Sequence, residues 1–366
     1  MVGHCGAIVD VGRWNDFLPG CKISAVLLLW DRFYETGEFM LHVVLCINDK
    51  NGGYYKHALV TMVSALENAT CQLTFHILHD DTLLPNIQYF EETVARYGQS
   101  VYFHNLKKRD FAAITPDIGR WGIGALYKLV LHEYVEADTA LYLDCDIVVT
   151  LDLAQLLAVD MRNHAIAVVR DFFATKKTKE ACRHTIEIGV PLEQYFNTGV
   201  MLCNIATLRT MSEELAKETM TSLLTKDTCL FAEQGALNIF YAKRPEMVRM
   251  LDEKFNCQIN YFTQEAYFQD FDWYKGKVIH YATPKKPWHY FSHAAMVYWK
   301  YYTLAFPQEN VFALIEACEQ HKFTALCRLM VSSPKLRAYM RRYRDRSEEG
   351  LWQSIRKRIF PNSASG

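Results

Sequence analysis

Apolar positions along this chain fall into two alternating rhythms. Residues 41–47 form a short β-rich run, and 56–68 then carry Leu59, Met62, Val63 and Leu66 at helical spacing. The same alternation predicts strands at 73–78, 100–104 and 140–143, with helices near 86–97 and from about 124 to 135. Strands separated by helices at this spacing imply an α/β fold, a mostly parallel sheet with helices on both faces. Ligands of such folds bind beyond the carboxyl ends of the strands. The polar clusters at 48–53 and 144–146 are expected there.

The pattern divides the chain into three parts. Residues 1–38 form an N-terminal extension, 39–291 the α/β domain, and 292–366 a helical region rich in Arg, Tyr and Trp. Between Lys335 and Arg358 nine basic residues face three acidic ones, a local net charge of +6. Leu351, Trp352, Ile355, Ile359 and Phe360 fall near one helical face beside Arg356, Lys357 and Arg358. That is the make-up of a helix lying on an anionic membrane surface. A solvated helix, or one packed on the domain, fits the same pattern.

Overall charge changes little in this picture: 40 basic residues balance 41 acidic ones, so no global field favours nucleic acid or membrane. The eleven cysteines are scattered, odd in number and free of any Cys-x-x-Cys pair. They argue against a zinc module or disulfide framework and for a reducing compartment. Asp10, Arg13 and Asp16 interrupt any signal peptide. The apolar run at 23–30 is shorter than the roughly 20 residues that span a bilayer. A cytoplasmic protein is expected.

The first chemical signal is Ala-Leu-Tyr-Leu-Asp-Cys-Asp-Ile-Val-Val at 140–149. In an extended segment side chains two residues apart point the same way, so Asp144 and Asp146 can face one hard cation. A cation there could neutralise a diphosphate and stabilise it as a leaving group. Two other readings stay open at this point. The pair could end a strand or cap a helix near Leu153, and Asp-x-Asp-x-Val also resembles the nucleophile motif of haloacid-dehalogenase-type phosphatases, in which the first aspartate is phosphorylated. That family usually carries the motif on its first strand and adds a Gly-Asp-x-x-x-Asp, and neither holds here.

Further segments join the pair in a pattern that resembles glycosyltransferase family 8, from about residue 41 to 288. Cys-Ile-Asn-Asp-Lys-Asn-Gly-Gly-Tyr-Tyr at 46–55 looks like the family's nucleotide loop, which implies that Asp49 and Asn51 meet uracil or ribose and that Tyr54 stacks on the base. Ala-Leu-Tyr-Lys-Leu at 125–129 is similar to the element whose cation, here Lys128, contacts donor phosphate or sugar. Phe-Asn-Thr-Gly-Val-Met-Leu-Cys-Asn at 196–204 matches closely. The resemblance makes Asn197 a sugar-hydroxyl contact, Gly199 a point of close backbone approach to the ligand, and Asp171 a sugar-binding aspartate.

In Glu-Gln-Gly at 233–235 the family usually reads Asp-Gln-Asp, so Glu233 and Gly235 depart from it while Gln234 matches. Glu233 and Gln234 are the catalytic candidates, Gln234 lying by analogy near the reactive face of the anomeric carbon. Val-Ile-His-Tyr-Ala-Thr-Pro-Lys-Lys-Pro-Trp at 278–288 resembles the family's His-Tyr-x-Gly-x-x-Lys-Pro-Trp. His280 becomes the third metal ligand, Lys286 the contact to β-phosphate, and Thr283 a donor contact where glycine is common.

The resemblance implies a GT-A type, Rossmann-like domain that retains anomeric configuration while moving glucose or galactose from a UDP-sugar to a glycan or lipid-linked sugar. Lipopolysaccharide core, or another surface glycan, is the expected acceptor. Mn2+ is the expected cofactor, with Mg2+ second, because manganese accepts a mixed oxygen and nitrogen set more readily. Location on the inner face of the cytoplasmic membrane follows if the basic tail binds lipid, and no nucleic-acid partner is expected. A non-catalytic nucleotide-sugar-binding protein is the alternative raised by Glu233 and Gly235.

Overall fold

The structure, a computed structural model, describes residues 40–107, 123–224, 232–259, 272–284, 286–290, 292 and 294–318. The extension expected at 1–38 and the basic helix expected at 351–360 lie outside these residues.

Strand β1 (Met40–Ile47) pairs in parallel with β2 (Gln72–His79) on one side and β4 (Thr139–Leu143) on the other, and β3 (Ser100–Asn105) extends the sheet beyond β2. The remaining strands of this sheet are β6 (Ile166–Arg170), β7 (Phe196–Asn204) and β8 (Val248–Met250), in the order β3-β2-β1-β4-β7-β6-β8. Only β7 runs against both of its neighbours. The expected mostly parallel sheet is therefore present, with one reversed strand inside it. A second sheet joins β5 (Ile147–Val149), β9 (Cys257–Gln258) and β10 (Val278–His280).

Alternation along β1 feeds two cores. Val43, Leu45 and Ile47 point to one, together with helix α1 (Tyr55–Asn68), while Val44 and Cys46 point to the other. Helix α2 (Ile87–Arg96) lies where the periodicity predicts it, between β2 and β3. Helices α3 (Phe172–Thr175) and α4 (Lys179–Glu187) follow β6 and pack on each other, while α5 (Ile205–Thr210), α6 (Ser212–Leu224) and α7 (Ala232–Ala242) close the second core. Helix α8 (Ala295–Ala305) packs on α1, and its Tyr298 and Trp299 enter the same core as β1. No helix among the described residues is long and apolar enough to cross a membrane.

Two local expectations differ from the outcome. The helix expected at 124–135 is a run of 3-10 turns, Ile123–Glu133. Every residue from Leu126 to His132 is buried, so the segment is enclosed all round and has no single face to impose the 3.6-residue period. Asp144 directly follows β4 and Asp146 lies in the turn after it, so the pair does not sit in one extended strand. There the chain leaves the large sheet after β4 and enters the small one as β5. The helical cap near Leu153 belongs instead to Asp152, whose side chain accepts from Ala154 N.

Candidate active site

The reversed β7 assembles this site. Leu143 pairs with Val200, so Asp144 N donates to Gly199 O at 2.8 Å just beyond the end of β4. The register between β6 and β7 shifts at Val168/Val169, which pairs Val169 with Asn197 and sets Asp171 beside it. In the small sheet His280 pairs with Ile147, and Tyr281 N donates to Asp146 O at 3.0 Å. Three segments remote in sequence thus share one end of the fold.

One ligand atom from each of Asp144, Asp146 and His280 lies within 4.8 Å of the others. Nε2 of His280 stands 3.2 Å from Asp146 Oδ1 and 3.7 Å from Asp144 Oδ2. Asp146 Oδ1 is buried without a hydrogen-bond partner, a costly state for a carboxylate oxygen unless something positive meets it. Two carboxylates and one imidazole suit a divalent cation that accepts oxygen and nitrogen together.

Two lysines flank this triad. Lys128 Nζ lies 3.1 Å from Asp144 Oδ1, 3.0 Å from Glu233 Oε1 and 4.6 Å from the Tyr142 ring centroid. The Tyr142 hydroxyl donates to the same Asp144 oxygen. Burial alone would lower the pKa of Lys128, but Asp144 and Glu233 outweigh it and hold the ammonium above its usual value. Burial raises the Glu233 carboxyl despite Lys128, and its Oε2 has no partner. On the other side Lys286 donates to Asp146 Oδ2 and to Tyr281 O. Burial opposes ionisation of Asp146, yet the Lys286 ammonium beside it holds its carboxyl far below the ordinary range.

Behind the triad the polar side chains bond mainly to one another. Gln234 Nε2 donates to Asp171 Oδ2 at 3.3 Å and to the Tyr195 hydroxyl at 3.2 Å. Its Oε1 accepts from Asn197 Nδ2 and Thr198 N. Asp171 also caps α3 by accepting from Phe173 N and Ala174 N, and burial raises its carboxyl pKa.

In the loop after β1, Asp49 is 2% exposed and accepts from Gly53 N at 2.9 Å and Tyr54 N at 2.7 Å. Asn51 and Tyr54 remain exposed, and Thr283 is half-buried. Apart from Gly199, every residue singled out for the site lines one cavity of about 810 Å3, within the usual range for a ligand pocket. Gly199 faces the ring of His280 instead.

Several contributors were not evident in the chain itself. Asn256 accepts from His280, Gln258 bonds the backbone on either side of Asp171, and His57 stacks on Trp288 with ring centroids 3.5 Å apart. Alternating polar residues in Phe-Asn-Cys-Gln-Ile at 255–259 are the only local signal for the first two.

Comparisons with known proteins place the chain in a family. The glycosyl transferase family 8 model matches residues 42–292. Over 253 residues the chain is 26% identical to the lipopolysaccharide 1,2-glucosyltransferase of Escherichia coli, spanning 64% of this chain and 70% of that protein. It is 24% identical over 233 residues to the lipopolysaccharide 1,3-galactosyltransferase of Salmonella typhimurium, spanning 61% and 66% respectively. The crystal structure of the galactosyltransferase LgtC with donor and acceptor sugar analogues superposes with a TM-score of 0.57 at 22% identity, covering 72% of this chain and 96% of that one, a likeness of fold. The fold is thus of the GT-A kind, and with more than half of its length matched by the family model, the chain belongs to glycosyltransferase family 8.

Proposed function

We propose that this glycosyltransferase moves a hexose, glucose or galactose, from a UDP-sugar to a hydroxyl of a glycan acceptor with retention, giving an α-linkage. The observation that carries the reading is the convergence of Asp144, Asp146 and His280 between two lysines in one cavity. Mn2+ bound by those three residues would supply the positive charge that stabilises a departing diphosphate.

The protein's own groups divide the remaining work. Asn51 and Tyr54, exposed at the cavity mouth, meet the nucleoside, while Asp49 shapes their loop through its backbone acceptors. Lys286 exchanges Asp146 for the β-phosphate. Lys128 stays buried, orients Asp144 and adds fixed positive charge. The unpartnered Oε2 of Glu233 accepts a donor-sugar hydroxyl, and Asp171 and Thr283 add donor contacts.

Gln234 is hydrogen-bonded through both ends of its carboxamide, so its carbonyl dipole is held in one orientation. That suits electrostatic stabilisation of positive charge at the anomeric carbon more than covalent attack. The acceptor hydroxyl then adds on the face the diphosphate leaves, and the departing phosphate takes its proton.

The names of the E. coli and Salmonella relatives support a hexose donor and a lipopolysaccharide or related surface glycan as acceptor. Placement in the cytoplasm, against an anionic membrane through the basic tail, completes the proposal, and so does the three-part division at 38/39 and 291/292. Nothing in the site favours the phosphatase alternative, since Asp144 Oδ1 is already held by Lys128 and Tyr142.

A donor-hydrolysis and transfer screen across UDP-sugars, with and without Mn2+, tests the reading. Hexose transfer that needs Mn2+ and gives an α-linked product is expected. A β-linked product, or full turnover by Asp146→Ala in the presence of chelator, would overturn it. Donor binding without any turnover would identify the non-catalytic alternative.

A further inference from the structure

We propose that Asn256 is a positioning residue that selects the metal-binding tautomer of His280, through an amide relay anchored on the backbone N–H groups of Thr198 and Gly199. The inference rests on the cation reading above and concerns Asn256, to which that reading gives no role.

Amide orientations follow from the partners that can only donate. Gly199 N donates to Asn197 Oδ1 at 2.9 Å, which fixes that atom as oxygen. The nitrogen of Asn197 must then donate, and it does so to Gln234 Oε1 at 3.1 Å, an oxygen that also receives Thr198 N at 3.3 Å. Asn197 Oδ1 has room for a second donor, and Asn256 Nδ2 fills it at 2.9 Å. With its nitrogen spent there, Asn256 can turn only its oxygen to His280 Nδ1, 3.0 Å away. Nδ1 must therefore carry the hydrogen.

A neutral imidazole protonated at Nδ1 presents a bare lone pair at Nε2. That lone pair faces Asp146 Oδ1 and Asp144 Oδ2. In that neutral form no proton lies between them, in keeping with the orphaned Asp146 oxygen, and three lone pairs converge where a cation would sit. The opposite tautomer would place a hydrogen in that position and donate it to Asp146. Asn256 is 2% exposed and His280 3% exposed, so no water competes for the relay. Because Asn197 is its branch point, the same two backbone groups also hold Gln234, and the cation site and the carboxamide nearest the reacting carbon share one orientation.

The test uses the full chain and two variants. In metal-free wild type, at a pH high enough to keep imidazoles neutral, long-range nitrogen NMR is expected to show His280 protonated at Nδ1. Electron paramagnetic resonance titration should show Mn2+ binding. Asn256→Leu should weaken Mn2+ binding about 10- to 100-fold and populate the other tautomer. Asn256→Asp keeps an acceptor for the Nδ1 hydrogen but loses the donor to Asn197 Oδ1, so it should restore the Nδ1-protonated tautomer and bind Mn2+ more tightly than Asn256→Leu, which a general loss of packing would not. A wild-type His280 protonated at Nε2 overturns the inference. So does a folded Asn256→Leu, verified by its melting transition, that binds Mn2+ as wild type does. Wild type that shows the expected tautomer but binds no Mn2+ would instead remove the cation reading itself, and with it the purpose assigned to the relay.

Discussion

A methyl group placed on Gly199 would lie 2.2 Å from Cε1 and 2.7 Å from Nδ1 of His280, and 2.8 Å from Asp144 Oδ2. No positive φ requires glycine here. The requirement is space, because β7 passes directly behind two of the three residues that face the cation position. Gly199→Ala must therefore push the imidazole or the carboxylate out of place. Overpacking of this kind costs about 1–3 kcal/mol. Urea denaturation should show a loss of that order, accompanied by loss of Mn2+ binding.

Asp146 and Lys286 form a largely buried ion pair, with side chains 8% and 22% exposed. Asp146→Asn keeps the shape and removes the charge that the cation and Lys286 share. Activity should fall further than the roughly 10- to 100-fold typical of an outer-shell change. Excess chelator should abolish wild-type turnover and added Mn2+ restore it. Substantial turnover of the variant in chelator would contradict the assignment.

Lys128 is the more deeply buried cation, and its removal strands both Glu233 and Asp144. Breaking one partner of a buried pair costs about 3–5 kcal/mol. Lys128→Met should show a loss of that size in urea unfolding. Combined with Glu233→Gln it should cost less than the two single losses added together. Additive losses would mean that the pair is not energetically coupled.

His76 lies in a row of histidines across three parallel strands, 2.9 Å from His42 and 3.1 Å from His104 between ring nitrogens, with Tyr102 stacked alongside. Burial and its two histidine neighbours push its pKa down to about 3. A histidine lowered in the folded state leaves the unfolded chain binding more protons between pH 6.5 and about 3. Stability is therefore lost as pH falls through that window. The contribution of His76 at pH 5 is about 2 kcal/mol relative to pH 7. His76→Gln should shrink the acid sensitivity of urea unfolding by that amount, and an unchanged pH slope would refute the account.

Much of the fold can be read directly from the chain. Strands β1, β2, β3 and β4 and helices α1 and α2 lie within a residue or two of their periodic signals, because burial on alternate positions or every third and fourth position leaves a local trace. The 3-10 run through Lys128 left a misleading one, since burial all round erases the period. The converging set Asp144, Asp146 and His280, which could hold a cation, was legible for another reason: each sits in a short motif whose neighbours also match.

By itself, then, the sequence determined the class of sheet, the residue types at the strand ends and the family resemblance. Tertiary structure alone decided what those residues have left to offer. Asp49 is occupied with its own loop, Asn197 with Gly199, Gln234 and Asn256, and Lys128 with two carboxylates. The space at Gly199 is filled by a histidine some eighty positions further along the chain. A motif records which side chain is present. Which of its donors and acceptors stay unspent depends on the groups brought opposite it by the reversed β7 and the switch from β4 to β5, contacts between segments that no local pattern of burial encodes.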